Sequence, residues 1–171
     1  TEGDTTPGGP GYTEWLVSEG LSGAPGVIVQ VQDGGLDKGI ATNAAGTAHA
    51  DIIGRIAGIF NATTDPSGDD KAGNGTIDAG IIMGNATVGT MDPAGYLLGQ
   101  GVAPEASVYN TKIFKNDETY SIGANTLTSL AQDAQNAGMT FSNNSWGTSN
   151  GGVYSANSAE IDALVRDADP V

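Results

Sequence analysis

The sequence predicts an α/β domain built on a parallel, doubly wound sheet with helices on both faces. Short β-branched runs at 26–33, 52–61, 108–114 and 139–147 alternate with segments of helical character. The first run, Gly-Val-Ile-Val-Gln-Val-Gln-Asp, has the continuous apolar content of a strand covered on both faces. It ends on Asp33, followed by Gly34 and Gly35. An acid therefore lies at the carboxyl end of a strand, where open α/β sheets carry their sites.

A chain of 171 residues suffices for one domain with its own core. With 38% hydrophobic residues and 27 glycines it reads as folded and turn-rich. The net charge of −14, from 20 acidic against 6 basic residues, argues against nucleic acid or an anionic membrane as partner. An acidic, lysine-poor surface suits a secreted, extracellular or cell-surface protein, although ordinary solvation also accounts for it. There is no cysteine, hence no disulfide, thiol nucleophile or thiolate metal site. No apolar run approaches the ~20 residues of a membrane-spanning helix. A start at Thr1, without Met or a signal-like segment, reads as a processed or trimmed end. Asn61, Asn74, Asn85 and Asn143 each fit the glycosylation sequon, a triplet that arises easily in an Asn/Thr-rich chain.

Residues 1–21 read as a lead-in. Its first part, 1–11, is Gly/Pro/Thr-rich and expected to be flexible, and 12–21, with Trp15, Leu16 and Val17, suits a short helix docked on the core. The main domain is 22–171. After the Asp33 strand, 40–49 is a small, polar loop holding His49, the only histidine, read as a surface or structural residue. The second strand, 52–61, leads to an acidic turn over 63–73. There Asp65, Asp69 and Asp70 are hard-oxygen candidates for a structural calcium, but their spacing matches no recognised loop and a solvated turn is the favoured reading. No other cofactor is called for.

The stretch 70–80 reads Asp-Lys-Ala-Gly-Asn-Gly-Thr-Ile-Asp-Ala-Gly, a glycine-bracketed turn entering a helix from Thr76 to about Asn85. Thr76 is the expected N-cap and Asp78 the first-turn acid favoured by the helix dipole. Gly73 and Gly75 leave Asn74 standing clear at the mouth of the turn. A Gly/Pro loop through Gly101 precedes the strand 108–114. In 122–138, Leu127, Leu130, Ala131 and Ala134 recur at helical spacing, with Gly138 as the stop. The strand 139–147 then leaves the sheet. An amphipathic helix over 158–169 carries Ile161, Leu164 and Val165 on one face, with Asn157 or Ser158 as cap and Pro170 as stop.

These stretches resemble the subtilisin-like serine proteases (subtilases). Asp70, Gly73, Gly75, Thr76, Ala79 and Gly80 match the family's histidine motif, Asp-x-x-Gly-His-Gly-Thr-x-x-Ala-Gly, but Asn74 stands at the histidine. Asp33 and Gly35 match its aspartate motif, with Gly34 replacing the hydroxyl residue. Gly101-Val-Ala-Pro and the strand after it match a third motif, and Asn144-Ser-Trp-Gly147 a fourth. The resemblance covers about 26–171 and implies the N-terminal half of a subtilisin-like catalytic domain. It assigns Asp33 to the orienting acid, Asn74 to the base position, and Ser145, Trp146 and Gly147, with the edge near Tyr120, to the substrate cleft. The family's nucleophile motif and its Ala-Ala-Gly-Asn oxyanion segment do not occur in these residues; in the family both lie beyond the point Val171 reaches.

In the family this machinery cleaves extended polypeptide: serine attacks, histidine takes its proton and aspartate orients the histidine. An amide cannot accept a proton near neutral pH, so Asn74 cannot be a general base. Ile77 and Asp78 depart from the family pattern as well, which favours natural drift or redesign over one deliberate change. The expectation is an endopeptidase domain fragment inactive as it stands. The alternative is a non-catalytic pseudo-protease acting as a peptide-binding or assembly module. Either reading calls for a companion, a C-terminal fragment or a second copy, to cover the exposed sheet edge.

Overall fold

A computed structural model describes residues 11–24 and 26–167. The flexible stretch expected over 1–11 falls almost wholly outside the described residues, as does the stop at Pro170. Eight elements follow one another: α1 (Gly11–Ser18), β1 (Ile28–Asp33), β2 (Ile56–Asn61), α2 (Asn74–Met83), β3 (Ser107–Lys112), α3 (Leu127–Asn136), β4 (Phe141–Asn143) and α4 (Ala156–Asp167). The strands form one four-stranded sheet in the order β2-β3-β1-β4, and every pairing is parallel. This is the predicted α/β architecture.

The central strands β1 and β3 are buried along nearly their whole length. Their side chains alternate between two cores. Val31 and Val108 pack with Ala79 and Met83 of α2, together with Leu36, Ile52 and Ile56. On the opposite face Leu130 of α3 packs with Ile113 and Ala62. On the α3 face the buried Gln30 is satisfied across the sheet, donating to Thr111 Oγ1 at 2.9 Å and accepting from Ser142 Oγ at 2.8 Å. α1 docks through buried Leu16.

Several expected boundaries move, each for a local reason. Residues 52–55 are not strand: Ile52 and Ile53 both donate to the His49 carbonyl, and the turn drops Ile52 into the core. α2 starts at Asn74, so Thr76 lies inside its first turn and is not the cap, and Asp78 lies in the second. Gly73, at φ 91°, holds the cap position in a conformation that glycine tolerates best. β3 ends at Lys112, because Phe114 turns away to bridge Tyr120 in antiparallel fashion. β4 keeps only three residues in the ladder. Ser155, not Asn157 or Ser158, caps α4, exchanging hydrogen bonds with Ser158. Val165 is exposed on α4, whereas Ile161 and Leu164 turn partly inward.

Candidate functional site

The site forms where β1 ends and α2 begins. Asp33 is 3% exposed, its Oδ1 accepting from the Gly34 N–H at 2.6 Å and its Oδ2 from Asn74 Nδ2 at 2.9 Å. Burial raises the pKa of Asp33 above the usual carboxylate range, opposed by these hydrogen bonds and reinforced by the like charges of Asp78 and Asp70. The contact requires glycine at 75, since a Cβ there would lie 2.3 Å from the Gly35 carbonyl oxygen and 3.2 Å from Asp33 Cβ.

Asp70 holds the helix end in place. Its carboxylate accepts from the N–H groups of Gly73 at 2.8 Å and Thr76 at 2.7 Å, and from the Thr76 hydroxyl at 2.7 Å. A carboxylate on otherwise unpaired first-turn donors does the work expected of an N-cap side chain, and this is why Thr76 is free to lie inside the helix. The Thr76 hydroxyl in turn accepts from the Asp37 N–H at 2.9 Å, joining the loop after β1 to α2.

Asp33, Asn74, Ser145 and Trp146 line one cavity of about 430 Å³, with Ile77, Phe114, Lys115 and Glu118 among its other walls. The volume is within the usual range for ligand pockets. The sequence-predicted residues therefore meet, with two exceptions. Tyr120 packs behind the wall, its ring 5.7 Å from those of Phe114 and Trp146. Gly147 lines an adjoining cavity between the β4 loop and the start of α4, sharing only Trp146 with the first. Trp146 belongs both to the second core and to the cleft wall.

His49 lines a different cavity, with Asp37, Asp51 and Asp70, and does not face Asn74. The calcium candidates divide between two tasks. Asp70 caps α2, while Asp65 and Asp69 face the ammonium of Lys112, at 3.1 and 3.5 Å. Among the described residues no group of three or more His, Cys, Asp or Glu side chains is arranged to hold a metal ion, and an internal ammonium already serves this turn.

Sequence reasoning missed Lys112 and the Asp78–Asn143 link. A lone lysine in a strand otherwise buried would have flagged the first. For the second, Asn143 Nδ2 donates to Asp78 Oδ2 at 3.1 Å and to Ser145 Oγ at 2.8 Å, tying α2 to the cleft rim. No local pattern announces that contact.

Comparison with known proteins agrees with the geometry. No curated protein matches the chain. The model of the subtilase family matches residues 24–169. The chain belongs to the subtilase family, whose domain is of peptidase type.

Proposed function

We propose that this domain binds extended polypeptide in the subtilase cleft without cleaving it. The observation that carries the reading is the hydrogen bond from Asn74 Nδ2 to Asp33. Asp33 keeps the place from which it would orient an imidazole, but what it orients is an amide that takes no proton from a nucleophile. The Ser145–Trp146 segment supports a peptide seat: it continues from the edge strand β4, and both residues line the Asp33 cavity. The reading therefore favours a pseudo-protease over a working endopeptidase.

Exposed apolar groups support a companion surface. Ile77 and Ile81 on α2 are 60% and 61% exposed, and Phe141 on β4 is 62% exposed. The companion is a further part of the domain or a second copy, and sedimentation distinguishes these from a lone monomer. The acidic composition supports an extracellular or cell-surface setting. No helix among the described residues is long and apolar enough to cross a membrane.

The test compares wild type with Trp146→Ala. Wild type is expected to bind an extended peptide in a calorimetric titration without releasing fragments, and the variant to bind about tenfold more weakly while staying folded. Hydrolysis above a buffer blank would overturn the inactive reading, and equal affinity would remove Trp146 from the cleft.

A further inference from the structure

We infer that the cleft selects peptides presenting an arginine or lysine side chain to the Asp33 cavity. This rests on the peptide-binding reading above and adds the charge of the ligand to it.

Asp33 borders the cavity yet has no cationic partner. Both of its hydrogen-bond donors, Gly34 N–H and Asn74 Nδ2, are neutral, and no ion pair among the described residues includes it. The charged groups that act on it, Asp78 and Asp70, are also acids. A buried carboxylate served by neutral donors alone is costly, and a cation delivered by a ligand recovers that cost. An imidazole at position 74 would itself share positive charge with Asp33. The exposed amide of Asn74 brings none, so the charge has to arrive from outside.

The walls suit the same ligand. The rings of Phe114 and Trp146 meet edge to face at 6.0 Å, and both line the cavity. Aromatic faces attract guanidinium and ammonium groups, arginine above all. Glu118 adds a carboxylate at the rim. Lys115, the one cation among the lining residues, already pairs with Asp117 at 3.8 Å.

The test titrates the full chain with acetylated, amidated hexapeptides of alanine that differ only in one central residue: arginine, glutamine or glutamate. The arginine peptide is expected to bind at least about tenfold tighter than the glutamine peptide, with glutamate weakest. Asp33→Asn should bring arginine and glutamine within about twofold of each other. Asn74→His should do the same by supplying the charge from within, and it guards against misfolding of the first variant. A preference that survives both substitutions would trace to the overall negative charge and overturn the inference. Equal binding of all peptides by wild type would overturn it too, leaving the peptide-binding reading intact. Failure of every peptide to bind would bring down that reading and the inference with it.

Discussion

Asp33 and Lys112 are partners across the β1–β3 ladder, both buried at the carboxyl end of the sheet, yet their surroundings differ. Lys112 Nζ donates to the Asp69 carbonyl oxygen and to Asn116 Oδ1, each at 2.6 Å, with the carboxylates of Asp65 and Asp69 close by. Every need of that ammonium is met from within the chain. Asp33 has hydrogen bonds but no counter-charge. A charge that pins a loop is compensated by the fold, whereas one at a cleft is left for a ligand to compensate.

The sharpest way to break this contrast is Lys112→Met. It removes the ammonium between two carboxylates, although Asp69 keeps Lys71 and Ser67 and Asp65 keeps the Asn116 N–H, and should lower unfolding free energy by about 3 kcal/mol in urea titration. A loss under about 1 kcal/mol would mean that these remaining partners suffice. Asp33→Asn, by the same comparison, removes a charge that the fold does not compensate, and should change stability by no more than about 1 kcal/mol.

Gly75→Ala attacks the geometry that brings Asn74 to Asp33. Its Cβ would collide with the Gly35 carbonyl, backbone that cannot yield cheaply, so α2 must shift at a cost of about 1–3 kcal/mol. Thermal unfolding measures the loss, and an unchanged midpoint would show that the helix end has slack.

The smallest effect lies in the pH dependence. Burial holds Asp33 above its ordinary pKa, so the folded state keeps that proton longer than the unfolded state does. Its contribution to stability falls as pH rises through the window between the two values, and is flat above it. Asp69 is shifted the other way, held well below the usual range by its hydrogen bonds from Lys71 and Ser67, with Lys112 adding to them. Its contribution is complete above the ordinary carboxylate value and fades as pH falls towards the folded one. Relative to wild type, urea midpoints should therefore rise for Asp33→Asn as pH climbs from about 4, and fall for Asp69→Asn as pH climbs towards about 4 from below. Parallel curves for both variants would remove the contrast.

Much of the fold was legible because its signals are local. The β-branched run into Asp33 marked a central strand, and Leu127, Leu130, Ala131 and Ala134 marked the buried face of α3, all four being buried there. Helix ends were read less well. Thr76 has the right side chain for a cap, but Asp70 reaches the same N–H groups from the turn before it. Likewise Ser155 takes the α4 cap from its neighbours, and Ile52 leaves its strand because a turn at His49 is available. In each case two nearby residues compete for one task, and the backbone path decides between them.

Sequence by itself determined the parallel α/β class, the acid at the end of β1 and the amide of Asn74 in the turn that enters α2. Those follow from periodicity and from motifs contiguous in the chain. The tertiary structure alone decided which charges would be compensated. Lys112 meets Asp65 and Asp69, and Asp78 meets Asn143, only because the order β2-β3-β1-β4 folds distant segments onto one end of the sheet. A carboxylate's partner is set by distance in space, and one-dimensional spacing carries no measure of that.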